Sequence, residues 1–220
     1  MDKRFRSDPY LERLTTAVSS VDGDWLTLDP TILFAFAGGQ QADRGTIGGH
    51  EVQASEALAD GTIRYQLPAG HGLTPGVPVE QVIDWPLRLR VMRVHTATHM
   101  AYAAISEQMG EARELIGSNV HAGKGRIDWA LEGSVSPWVP AASERIAVLV
   151  QRDLAVRRFA GDDDPDRWLW QLEGDDLDPD LWRMPCGGTH VARTGEVGRV
   201  KLKRKNIGKG KERVEVILLD

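Results

Sequence analysis

A chain of 220 residues that is 41% hydrophobic is long enough to bury a sizeable core, as one large domain or two small ones. Its one cysteine excludes an internal disulfide, and no stretch approaches the roughly 18 uninterrupted apolar residues of a membrane helix. The charged start MDKRFRSDPY lacks the apolar region of a signal peptide, so the expectation is a cytoplasmic protein with no membrane partner.

The net charge of −5 weighs against a nucleic-acid partner only until its distribution is read. Nine Lys or Arg and two Glu fall between Arg193 and Arg213, which makes a basic patch. Nine Asp or Glu fall between Gly161 and Asp180, and with Pro165 and Pro179 among them the expectation is a solvated, peripheral loop or insertion.

Taken in chain order, the predicted elements begin with short apolar runs, Trp25-Leu26-Thr27-Leu28 and Thr31-Ile32-Leu33-Phe34, punctuated by Gly, Pro and Asp as in a small β domain. Ala37-Gly38-Gly39-Gln40-Gln41-Ala42-Asp43-Arg44-Gly45 follows, where glycines permit tight turns and close backbone approach to a ligand; a hairpin is the plainer alternative. Residues 67–79 suggest an exposed connection. From Leu87 to about Gln108 good helix formers carry an apolar stripe of Leu89, Met92, Val94, Ala97, Met100, Ala101 and Ile105, which predicts a long buried helix. A second helix is predicted over Ala141 to Phe159, a stretch free of Gly and Pro. Strands are predicted over Gly125 to Leu131, Gly198 to Arg204 and Arg213 to Leu219. The expected division is residues 1–86, β-rich with the glycine motif, and residues 87–220, α+β.

Two pairs of residues carry chemistry. In His95-Thr96-Ala97-Thr98-His99 the imidazoles are four residues apart, one turn apart on one helical face. In Cys186-Gly187-Gly188-Thr189-His190 the only cysteine has the same spacing from a histidine, across two glycines that let the backbone fold round an ion. Three His and one Cys make a soft donor set that suits tetrahedral Zn2+ and disfavours Mg2+ or Ca2+. Four protein ligands are common in structural zinc sites, whereas catalytic zinc keeps a position open to water or substrate. His50, His71 and His121 lie outside these pairs and read as loop or surface residues.

At these motifs the chain resembles the AlaX family of free-standing alanyl-tRNA editing proteins, related to the editing domain of alanyl-tRNA synthetase. Gly38-Gly39-Gln40 with Asp43-Arg44-Gly45 is similar to the family's glycine motif, and Ile83-Asp84-Trp85 with Arg88 and Met92 to its approach to the first histidine helix. Gly117-Ser118-Asn119 and Gly123 to Asp128 are similar to the strand lining its amino-acid pocket. Coverage runs from about Thr31 to the C-terminus. Ala37 stands where the family has a further glycine, Asn119 stands where Gln is common, and the acidic block is longer than usual.

The resemblance implies an α+β protein, with an N-terminal β-rich, barrel-like domain before an α+β zinc-binding editing domain. It implies editing in trans: hydrolysis of the aminoacyl ester on mischarged tRNA(Ala), with serine and also glycine as wrong amino acids, and the acceptor end of the tRNA as partner. His95, His99, Cys186 and His190 would hold Zn2+, which positions substrate or activates water. Gly38, Gly39, Gln40, Thr96 and Asn119 are the expected substrate contacts, since rejection of alanine requires a polar partner for the serine hydroxyl. Arg44, Lys124, Arg126, Lys201, Lys203 and Arg204 are the expected phosphate contacts. The rival readings are a zinc-stabilised RNA-binding module without catalysis, an editing enzyme for another tRNA such as tRNA(Thr), and a zinc hydrolase of small esters or amides.

Overall fold

The computed structural model describes residues 1–164 and 166–219. The chain is mixed α+β, and its contacts divide it into two compact units: Met1–Ala37 with Gln41–Leu89, and Gly38–Gln40 with Arg90–Asp220. The three residues at the heart of the glycine motif therefore group with the second unit.

In the first unit a short helix α1 (Arg4–Ser7) precedes seven strands: β1 (Arg13–Asp22), β2 (Trp25–Leu28), β3 (Gly45–Ile47), β4 (His50–Glu51), β5 (Ala54–Ala57), β6 (Ile63–Gln66) and β7 (Pro78–Ile83). They pair in the order β4-β3-β7-β1-β2-β6-β5. The first half of β1 pairs with β7 and the second half with β2, whose ladder carries a register shift between Val18 and Ser20. Such an irregularity bends a strand and increases its twist. The sheet curls accordingly into a half-barrel round Leu26, Leu28, Ile47, Ile63, Tyr65 and Val79, and its ladder ends at β4 and β5 without closing.

Thr31 to Phe34, expected as a strand, is instead a buried connection whose backbone is satisfied by side chains. The Ile32 N–H donates to Gln81 Oε1 (3.1 Å), the Phe34 N–H to Asp43 Oδ2 (2.6 Å), and the Ile32 carbonyl accepts from Arg88 (2.7 Å). Apolar composition marked burial there, not pairing. Arg88 is fully buried: its guanidinium also donates to the Pro9 carbonyl (2.9 Å) and to Asp43 Oδ1 (2.7 Å) and pairs with Asp43 Oδ2. A buried charge is tolerable only when paired and hydrogen-bonded in this way.

The long helix α2 (Trp85–Met109) begins where Asp84 Oδ1 accepts the Leu87 N–H (3.2 Å), an N-cap bond. It ends where Gly110, at φ 78°, lets the N–H groups of Gly110 and Glu111 return to the carbonyls of Glu107 and Ser106, the bond pattern of a Schellman stop. Between Val94 and Thr98 every residue is buried, so the helix is enclosed on all sides here.

The rest of the second unit comprises β8 (Leu115–His121), β9 (Lys124–Ala130), α3 (Val139–Arg152), β10 (Val156–Ala160), β11 (Trp168–Leu172), α4 (Pro179–Trp182), β12 (Arg183–Pro185), β13 (Val200–Asn206) and β14 (Lys211–Leu218). Four of these strands form an antiparallel sheet in the order β13-β14-β9-β8, and three form a second sheet, β10-β11-β12. The helix lies close on β9 at Gly125, where a Cβ would stand 2.0 Å from Thr98 Oγ1. Only glycine fits at that approach.

Two further expectations need correction. The helix predicted over Ala141 to Phe159 stops at Arg152, because Asp153 turns left-handed (φ 48°) and its carboxylate accepts bonds from Arg193 (2.6 Å) and from the Gly195 N–H (3.0 Å). Val156 and Phe159 then belong to a strand, since Val, Phe and alternating spacing serve either element. The acidic block is not merely a peripheral loop: within it the alternation Trp168-Leu169-Trp170-Gln171-Leu172 forms β11, the central strand of its sheet, and Trp170 is fully buried. Pro165 lies outside the described residues.

Candidate metal centre

His95 and His99 project from one face of α2, while Cys186 and His190 come from the glycine turn that follows β12. The four ligand atoms converge, all lying within 4.8 Å of one another. His95 Nε2 stands 3.2 Å from His99 Nε2 and 3.5 Å from Cys186 Sγ, and His190 Nε2 stands 3.2 Å from the same sulfur. A tetrahedral ion with bonds of about 2.0 Å to nitrogen and about 2.3 Å to sulfur separates its ligand atoms by roughly 3.3 to 3.5 Å, and these three separations lie close to that.

The protonation pattern agrees. Gln40 Oε1 accepts the Thr189 N–H (2.9 Å) and faces His95 Nδ1 at 2.7 Å, so that nitrogen carries the proton and His95 Nε2 is left with a lone pair. That lone pair points at another imidazole nitrogen and a sulfur, an arrangement that a cation resolves. His190 Nδ1 likewise meets Thr96 Oγ1 (3.1 Å), which also accepts the Val191 N–H (3.3 Å). Burial holds all three imidazoles neutral, the form that ligates: His95 is pushed down to about 4, and His99 and His190 well below the ordinary histidine value, these two also opposed by neighbouring imidazoles in the cluster. Burial pushes the Cys186 thiol up to about 11. A bound cation reverses that preference by favouring thiolate.

Glycine is required at position 188. A Cβ there would lie 2.4 Å from Gln40 Oε1 and 2.5 Å from His95 Cε1, so the turn presses its backbone against the histidine and the amide that orients it.

Of the expected substrate contacts, Gln40 is buried, with its amide engaged by His95, by the Thr189 N–H and by Thr189 Oγ1 (3.0 Å). Thr96 is fully buried against His190. Both face imidazoles of the cluster at Nδ1. Asn119 is half-buried on β8 and donates from Nδ2 to the Gly39 carbonyl (3.1 Å), beside a bridge between Gln40 and Val120. Gly38 and Gly39 take positive φ of 57° and 81°, and a Cβ on Gly39 would fall 2.7 Å from the Ser118 carbonyl oxygen.

Among the expected phosphate contacts, Lys201 and Lys203 are exposed on β13, an edge strand. Lys124 pairs with Glu215 and Arg204 with Glu212 across the sheet, and Arg126 with Asp128 along β9. Arg44 belongs to the first unit and is exposed. His71 and His121 each accept a nearby backbone N–H at 3.0 Å, and His50 packs against His71 with ring centroids 6.3 Å apart. Sequence reasoning missed Trp170, whose indole lies 4.9 Å from the His99 ring, and the only signal for it was the alternation of β11.

Comparison with known proteins agrees with this geometry. Residues 174–215, which include Cys186 and His190, match the family described as the threonyl and alanyl tRNA synthetase second additional domain. The chain is 33% identical over 98% of its length to the alanyl-tRNA editing protein AlaX-M of Pyrococcus horikoshii, of which it covers 97%. It is 29% identical over 97% of its length to AlaX-M of Methanosarcina mazei, of which it covers 94%. Similarity to the alanine–tRNA ligase of Methanococcus aeolicus, 29% identity over 96% of the chain, spans only 25% of that ligase. By extent and by the residues it brings together, this chain belongs to the family of AlaX-M alanyl-tRNA editing proteins.

Proposed function

We propose that the chain is a zinc-dependent aminoacyl-tRNA deacylase that edits in trans, hydrolysing the ester of mischarged tRNA(Ala), with Ser-tRNA(Ala) the principal substrate and Gly-tRNA(Ala) the second. The observation that carries this reading is the convergence of His95, His99, Cys186 and His190 within 4.8 Å in a relative of alanyl-tRNA editing proteins. The donor set of three imidazoles and one thiol selects zinc over harder ions. When bound, zinc supplies a Lewis acid that holds or polarises the aminoacyl group or the attacking water.

The protein's own contribution is orientation. Gln40 and Thr96 fix the rings of His95 and His190 through their Nδ1 atoms, leaving Nε2 to the ion. Asn119 bonds Gly39 through Nδ2, and its Oδ1 is the acceptor we assign to the serine hydroxyl. Alanine lacks that hydroxyl and leaves such an acceptor unpaired, which is how a polar site favours serine over it, and glycine, lacking it too, would be the weaker substrate. Lys201, Lys203 and Arg44 are assigned to phosphates of the acceptor end, and Lys124, Arg126 and Arg204 would join them at the cost of their carboxylate partners. The site of action is the cytoplasm, where tRNA is charged.

A panel of mischarged tRNAs, assayed with metal analysis of the same preparation, tests this. Ser-tRNA(Ala) should be deacylated and Ala-tRNA(Ala) spared, with about one zinc per chain as expected for a four-ligand site. His99→Ala should weaken metal binding and abolish activity. Deacylation that survives in that variant defeats the metal role, and preference for mischarged tRNA(Thr) would move the enzyme to another synthetase.

A further inference from the structure

Three imidazoles face one point in the second unit, but they are not held alike. His95 is oriented by Gln40 and His190 by Thr96, each through Nδ1. The Nδ1 of His99 is buried and has no hydrogen-bond partner among the described residues. What His99 has is an edge-to-face contact with the indole of Trp170, ring centroids 4.9 Å apart at 62°. The same indole lies 6.2 Å from the His190 ring. Trp170 is fully buried and its own Nε1 also lacks a partner, so no hydrogen bond accounts for its place. An unmet buried N–H is costly, and within the cluster the indole's contacts are with the rings of His99 and His190.

We propose that Trp170 is a positioning residue for His99, fixing its ring by aromatic contact in place of the hydrogen bond that orients the other two histidines, and that His99 is therefore the most readily displaced of the four ligands. The proposal rests on reading the cluster as a metal centre. A bond from Nδ1–H to an oxygen does two things: it sets the ring angle, and it makes Nε2 a stronger donor. Trp170 supplies the first and not the second. His99 is thus correctly aimed but the weakest base of the three. Four protein ligands close a tetrahedral ion, whereas catalysis needs an open position. With an ion bound, His99 would be the ligand whose release costs least, and Trp170 would hold its ring in place to rebind.

Cobalt(II) titration in competition with a chelator, read by the thiolate charge-transfer and d–d bands, tests this without an activity assay. Trp170→Leu, which keeps an apolar filling but no ring edge, should weaken cobalt binding about ten- to a hundredfold, the usual effect of removing a ligand's support. Trp170→Phe should stay within about threefold of the parent because it retains the edge-to-face contact. Thermal unfolding of the metal-free variants separates this from a general packing loss, which lowers the midpoint and leaves affinity alone. Among the ligands, His99→Ala should cost less cobalt affinity than His95→Ala or His190→Ala. Equal weakening by the Leu and Phe variants, no weakening by Leu, or equal loss for the three histidine variants overturns the proposal. If the unaltered protein gives no thiolate-to-cobalt band, the metal reading fails, and this proposal with it.

Discussion

Arg88 and His99 lie on one helix, both buried enough to demand partners, and their surroundings meet that demand in opposite ways. Arg88 is complete by itself: Asp43 neutralises it and two backbone carbonyls take its remaining donors. The cluster of His95, His99, Cys186 and His190 is incomplete by itself, with nitrogen lone pairs turned toward each other and toward sulfur. The first arrangement is complete without a ligand, and the second is one that could hold a cation. Buried polar residues in a family motif can thus serve structure or chemistry, and what distinguishes them is whether donors meet acceptors.

That contrast can be broken at either end. The largest expected effect comes from Arg88→Met, which strands the Asp43 carboxylate among buried groups and should cost about 3 to 5 kcal/mol of unfolding free energy by chemical denaturation. Metal affinity of the folded fraction should not change. Gln40→Ala should do the reverse, weakening metal binding in a chelator competition about ten- to a hundredfold, because His95 loses the acceptor that fixes its tautomer. A Gln40→Ala protein that binds metal as the parent does would remove Gln40 from the support of the site.

The smallest effect lies outside both clusters, on the sheet. Glu212 is held below the ordinary glutamate value of 4.5 chiefly by its bond from Arg204, and Glu215 chiefly by its bond from Lys124. A carboxylate lowered in the folded state contributes stability that is present above the unfolded value, and the contribution is lost as pH falls through the folded one. The thermal midpoint should therefore drop as pH is taken below about 4.5, and the drop should be shallower in Glu215→Gln. An unchanged profile in that variant would show the pairing to be inconsequential.

The convergence of the two pairs was legible because spacing and donor type are local properties: two residues four apart on a helix share a face whatever surrounds them. The buried helix was legible for the same reason. The end of α3 was not, because the stop depends on Asp153 finding Arg193 and Gly195 some forty residues away. Nor was the place of Trp170, whose strand is flanked by aspartates that dominate any average over the segment. The roles of Gln40 and Thr96 were half legible. Their motifs marked them as belonging to the site, yet whether an amide meets a substrate or a histidine is decided by atoms 55 and 94 residues away in sequence.

The outermost strand of the four-stranded sheet carries a further consequence. Lys201 and Lys203 stand exposed on β13, whose outer backbone groups face no neighbouring strand of that sheet. Like charges repel a second copy of the same strand and so discourage annealing rim to rim. Attraction for polyanions and resistance to self-association are then vested in the same two ammonium groups, and neutralising them to loosen the first would erode the second.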